Sequence, residues 1–108
     1  MIRVLFVDEE VKQSYELLKY GKSEDRMVYK MVNQAIGKLL ENSCFGIKIP
    51  TNLWPKVYIE KYGVRNLWKC DLPNGWRLIY TVKSDNYDNY YLIIEWFDHK
   101  EYERRFNY

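Results

Sequence analysis

The hydrophobic positions change period along the chain, and the changes predict its elements. Ile2 to Val7 is rich in branched and aromatic residues and predicts a short strand. Asp8 follows as a candidate N-cap, and Glu9 and Glu10 suit the positive end of a helix. Val11, Tyr15 and Leu18 then recur at helical spacing, with Gly21 as the stop. A second helix is predicted after Ser23, where Val28, Met31, Val32, Ala35, Ile36, Leu39 and Leu40 form a wide apolar stripe. Residues 43 to 62 are harder to read. Ile47 and Ile49 alternate, Pro50 and Pro55 interrupt, and Tyr58 to Tyr62 fits a helical turn or an extended piece. From Val64 the pattern is β: strands over Val64 to Leu72, Trp76 to Val82 and Tyr90 to Phe97, then a charged tail from Asp98 to Tyr108. The order strand, two helices, then antiparallel strands predicts an α+β domain, with the first strand and both helices packed on an antiparallel sheet.

The turn Pro73-Asn74-Gly75 allows a register argument. With a three-residue loop and Gly75 as its left-handed residue, Leu72 faces Trp76, Cys70 faces Leu78, and Trp68 faces Tyr80. One face then becomes wholly apolar: Leu72, Cys70, Trp68, Trp76, Leu78, Tyr80 and Val82. A two-residue loop would mix the faces, so burial selects the longer one. By the same parity Leu92, Ile94 and Trp96 share the helix-packed side, while Glu95 and Phe97 point away. If extended backbone continues two residues, His99 joins them. The second face then collects Lys69, Asp71, Arg77, Glu95 and His99. Asp71 opposite Arg77 alone reads as a surface ion pair worth under about 1 kcal/mol. Five titratable groups on one face, with the only histidine among them, also fit a functional site.

Composition narrows the classes. The 108 residues fit one domain, residues 1–108, large enough for a core. No apolar run approaches the roughly 18 residues of a membrane helix, and Met1 to Val7 meets acidic residues at once. The expected location is therefore cytoplasmic, with no membrane partner. Cys44 and Cys70 lie far apart, and with one histidine they are too few for a Cys/His zinc site, so both are expected as buried free thiols. The sequence contains no Walker loop, G-x-G-x-x-G, H-E-x-x-H or G-x-S-x-G. The net charge of +2 is only mildly basic, and the 11 Tyr and 4 Trp fit a β-rich core first.

The segment Tyr62-Gly-Val-Arg-Asn-Leu-Trp-Lys-Cys-Asp-Leu-Pro-Asn-Gly-Trp-Arg-Leu-Ile-Tyr80 resembles the sheet core of the RelE/ParE toxin superfamily. Trp96-Phe-Asp-His-Lys-Glu-Tyr-Glu-Arg-Arg-Phe106 is similar to the closing segment of its RelE-like branch. The resemblance covers residues 62 to 108, and over 1 to 45 it is one of architecture. It implies the toxin of a type II toxin–antitoxin pair: an endoribonuclease that cleaves mRNA, often on the ribosome, with no metal or other cofactor. A cognate antitoxin would be its partner. Arg77 stands where the family places its strand arginine, Lys69 where several members keep a basic residue, and His99 and Tyr102 resemble its carboxy-terminal catalytic residues. Here two residues separate His99 from Tyr102, and no lysine cluster accompanies them.

Such chemistry needs a base for the ribose 2′-oxygen, cations for the phosphate, and an acid for the departing 5′-oxygen. Imidazole titrates near neutrality and suits either proton role. Arg77 can grip two phosphate oxygens, with Lys69 as a second charge. Glu95 is a spare base, and Tyr102 an acid, a base-stacker or a packing residue. Arg65, Arg104 and Arg105 are candidates for flanking phosphates. The alternatives are a toxin-fold module that binds RNA or protein without catalysis, and a ParE-like inhibitor of DNA gyrase.

Overall fold

The computed structural model describes residues 1–42 and 46–106. Its elements are β1 (Ile2–Phe6), α1 (Glu9–Leu18), α2 (Ser23–Leu40), β2 (Ile47–Lys48), α3 (Lys56–Tyr62), β3 (Trp68–Asp71), β4 (Arg77–Ser84), β5 (Asn89–Phe97) and α4 (His99–Phe106). The strands form one sheet in the order β1-β5-β4-β3-β2. Neighbours pair antiparallel from β2 to β5, and β1 closes the sheet parallel to β5. The α+β architecture is therefore as expected, with a mixed sheet in place of a purely antiparallel one.

The start of α1 follows from its cap. Asp8 is extended, and its carboxylate accepts from the Val11 amide at 2.9 Å. This satisfies one of the donors a helix start leaves unpaired. In α2 the apolar stripe buries Val28, Met31, Val32, Ala35 and Leu39 against the sheet, while Leu40 stays half exposed. The hairpin register is the one burial selects: Trp68 pairs with Tyr80, Lys69 with Ile79, Cys70 with Leu78, and Asp71 with Arg77. The turn closes with the Leu72 amide donating to Trp76 O at 2.8 Å. Asn74 and Gly75 both take positive φ (60° and 78°), a conformation that Gly and Asn adopt at least cost. All seven residues of the expected apolar face lie in one cluster with the buried side of α2.

Four expectations are corrected. First, β5 carries a bulge. Ile79 pairs with Glu95 but Tyr80 pairs with Ile93, so Ile94 is an extra residue. Parity flips there, and Ile93 joins Tyr80 under α2. Ile94 joins the opposite cluster, and Leu92 pairs with Thr81 outside the helix-side core. Trp96, Glu95 and Phe97 lie beyond the bulge and keep their expected sides. Second, the chain does not continue extended after Phe97. The Asp98 carboxylate accepts from the Glu101 amide at 2.9 Å, and α4 starts at His99, so the charged tail is a helix. Third, the second face is covered. Ile49, Tyr58, Val64, Leu67, Ile79, Ile94, Phe97, Tyr102 and Phe106 form a second buried cluster beneath α3 and α4. Fourth, Cys70 is disulfide-bonded, not a free thiol. Cys44 lies outside the described residues.

The stretch that resisted reading is β2, a 3-10 turn at Thr51–Leu53, and α3, which ends on Gly63 at φ 59°. Just before β3, the Asn66 side chain replaces a strand partner. Its carboxamide donates to Val82 O and accepts from Val82 N, both at 2.8 Å, and it also receives the Thr81 hydroxyl. Thr81 is 1% exposed, and this clamp satisfies its hydroxyl.

Candidate functional site

Tyr102 centres the cationic end of the sheet. It is 3% exposed, packed against Phe106 from the next turn of α4. The Lys69 ammonium lies 5.1 Å from its ring centroid and the Arg77 guanidinium 5.6 Å. Both cations reach the ring because Lys69 and Arg77 point to the second face, where α4 packs. An aromatic face attracts cations, so the ring holds two charges that would otherwise repel. The Tyr102 ring thus packs beneath both cations.

Asp71 is the only carboxylate within ion-pair reach of either cation among the described residues. It stands 3.0 Å from Arg77 Nε and 3.7 Å from Lys69 Nζ. Arg77 Nε is buried yet not aligned for a hydrogen bond, and one terminal nitrogen of the guanidinium donates to Trp76 O at 3.2 Å. Two positive charges therefore face one negative charge that is half exposed and screened by water. An anion with several oxygens can compete with Asp71 for both cations.

His99 opens α4 at the same end. Its Cβ lies 3.4 Å from the point where a side chain on Gly75 would start, which sets the helix against the β3–β4 turn. Arg77 follows Gly75 by two residues and pairs with Phe97, two residues before His99. The imidazole is 61% exposed, and Nε2 lies 2.8 Å from Glu103. Its other ring nitrogen has no partner among the described residues. Sequence reading missed Glu103. The i, i+4 spacing of His99 and Glu103 becomes a contact only on a helix, and extended backbone past Phe97 would hold the two apart.

The remaining candidates lie elsewhere. Glu95 is next along the second face, where it accepts from the Tyr58 hydroxyl and pairs with Arg105 at 3.2 Å. Burial, and then the charge of Glu95, push the Tyr58 phenol well above its ordinary range. Arg105 also lies over Phe97, so it belongs to this network and not to open surface. Arg104 pairs with Glu101 and is largely exposed. Arg65 lines a cavity at the opposite end of β4, with Thr81 and Lys83. The structure thus brings Lys69, Arg77, Tyr102 and His99 to one end, while Glu95, Arg65, Arg104 and Arg105 are not part of that group. Three cavities elsewhere on the molecule are lined by neither Arg77 nor His99.

No family model, curated protein or solved structure matches this chain significantly. No described helix is long and apolar enough to cross a membrane.

Proposed function

We propose that this chain is a RelE-like toxin that cleaves mRNA without a metal, acting on ribosome-bound message and restrained by a cognate antitoxin in the cytoplasm. One observation carries the reading: an exposed imidazole backed by a carboxylate, at the same end of the sheet as two cations that share a single counter-ion. Glu103 orients His99 and leaves one ring nitrogen for substrate, as in other carboxylate–histidine pairs. In this reading His99 takes the proton from the 2′-oxygen. That oxygen attacks the adjacent phosphorus, the bond to the 5′-oxygen breaks, and a proton returns to the 5′-oxygen. The products are a 2′,3′-cyclic phosphate and a free 5′-hydroxyl. On binding, Arg77 and Lys69 turn from Asp71 to the phosphate, and there they offset the charge that builds on it, stabilisation that lowers barriers by several kcal/mol.

A second reading has an observation of its own. Arg77 is held by Asp71, Trp76 O and the Tyr102 ring, with its Nε buried. That suits a toxin-fold module that binds RNA without cleaving it. Induced expression of the chain, with 5′ ends mapped on ribosome-bound mRNA, separates the two. New 5′-hydroxyl ends that vanish in His99→Ala and Arg77→Ala support the nuclease. Intact mRNA from a folded, RNA-binding protein supports the inert module.

A further inference from the structure

At the other end of the sheet, about 17 Å along β4 from Arg77, lies a cavity of about 590 Å³ whose walls include Trp68, Tyr80, Tyr91 and Val82. Its rim carries two uncharged polar groups, Asn66 and Ser84. The aromatic walls follow from register. Trp68 pairs with Tyr80 and Val82 with Tyr91, so all four side chains share the helix-side face, and the Tyr80 and Tyr91 rings meet edge to face at 5.8 Å. The cavity is open because β3 begins only at Trp68, which leaves β4 beyond Tyr80 without a strand neighbour on that side. Gly46 forms another wall, where any side chain would collide with the Tyr80 hydroxyl.

One cation stands on the cavity's own face, and two lie across the free edge of β4, where Lys83 points to the second face with Ile79 and Thr81. Lys48 pairs with Trp68 and therefore projects on the same face. Arg65 and Lys83 line the adjoining cavity of about 600 Å³, which shares Asn66, Val82 and Ser84 with the aromatic one. None of the three has a carboxylate within 4.0 Å among the described residues. The nearby acids are engaged elsewhere: Asp85 accepts from the Tyr87 and Asp88 amides, and Asp88 pairs with Arg3 and the N-terminus. Flat aromatic walls beside uncompensated cations suit a ligand that alternates planar rings with negative charge.

We propose that this cleft is a second nucleotide site, in which Trp68 and Tyr91 stack a base of single-stranded RNA while Lys48, Arg65 and Lys83 hold its flanking phosphates. The identity of the polymer rests on the RNA-directed reading above, but the site is separate from Arg77 and His99. Stacking on aromatic faces is tolerant of sequence, so the site adds affinity and not base selection.

The test is binding of a fluorescein-labelled single-stranded hexauridylate to the full chain carrying His99→Ala, followed by anisotropy at low and moderate salt. Trp68→Leu is expected to weaken binding about tenfold. The double variant Arg65→Glu/Lys83→Glu is expected to weaken it at least as much and to flatten the salt dependence. Unchanged affinity in either variant overturns the proposal. A photocrosslink from 4-thiouridine-labelled oligonucleotide to the protein without cleft substitutions needs no folded variant. Attachment at Trp68, Tyr80 or Tyr91 supports the site, and attachment only elsewhere overturns it. A parent chain that leaves mRNA intact while the cleft still binds would remove the nuclease and keep this site. Cleavage and binding indifferent to the cleft variants would do the reverse.

Discussion

Under α1 and α2 the sheet presents Leu72, Trp68, Leu78, Tyr80 and Val82, with no charge among them. Under α3 and α4 it presents Ile79, Ile94 and Phe97 together with Lys69, Arg77 and Glu95. Where α2 covers it the first face is sealed by shape alone, and it stays open only at its Trp68–Tyr91 end. The second is sealed around its charges, each supplied with a ring or a partner: Tyr102 under two cations, Tyr58 and Arg105 on Glu95. A sheet face with ionisable residues need not be an open face. Its charges become available only where their partners are themselves exposed, as Asp71 is at the hairpin end.

The sharpest way to break this comparison is to hollow each face at adjacent residues. Leu78 and Ile79 are both 0% exposed and point to opposite sides of β4. Leu78→Ala and Ile79→Ala should each destabilise the fold by about 2 to 5 kcal/mol, the cost of a core cavity. Urea denaturation with unchanged m reads the difference. A cost below about 1 kcal/mol for Ile79→Ala alone would mean that α3 and α4 do not seal the second face in solution.

The next test uses alkali. Burial, and then the neighbouring Tyr91, push the Tyr80 phenol up from its ordinary 10.0 to about 12. The folded chain therefore keeps this proton in a window, from pH 10 to about 12, where the unfolded chain has released it. Stability from this group is full below pH 10 and falls across the window by about 2 to 3 kcal/mol. Tyr80→Phe should flatten that part of the pH–stability curve. Tyr58, raised in the same direction, will preserve some alkaline slope from the second face. A Tyr80→Phe curve as steep as the parent's would leave the fall to other groups.

On the second face, Glu95→Gln keeps the shape and removes the charge. Arg105 loses its only ion-pair partner among the described residues, and Tyr58 keeps a weaker acceptor. A loss of about 1 to 3 kcal/mol is expected, since hydrogen bonds to charged groups are the stronger ones. If Glu95 were instead a catalytic base on open surface, the same change would abolish cleavage with little effect on thermal unfolding.

The apolar face, the hairpin register and the Asp8 cap were all legible, because each depends on local period or turn chemistry. The bulge at Ile94 was not. Both Ile93 and Ile94 are apolar, so either could face α2, and only pairing on both sides of the strand decides between them. The cover on the second face was hidden for a related reason: Ile49, Tyr58 and Leu67 reach it from a stretch broken by two prolines. At the candidate site, parity placed Lys69 and Arg77 together correctly. It missed α4, whose N-cap is Asp98, and with it the reason His99 meets Glu103 and Tyr102 turns inward.

The smallest expected effect on stability tests the candidate site most directly. His99 and Glu103 are both substantially exposed, so their contact is screened and contributes less than about 1 kcal/mol to folding. His99→Ala should therefore unfold almost as the parent does. If the imidazole moves the proton, cleavage should fall by about a hundredfold to ten-thousandfold. Glu103→Gln keeps a hydrogen-bond partner but removes the charge that orients the ring, so its activity should lie between His99→Ala and the parent. That separation of stability from activity is available only where a charge is held at the surface. Lys69→Ala and Arg77→Ala would blur it, because both also uncover the Tyr102 ring. An active His99→Ala chain would remove the imidazole from the chemistry and leave the Lys69–Arg77 end as a binding surface.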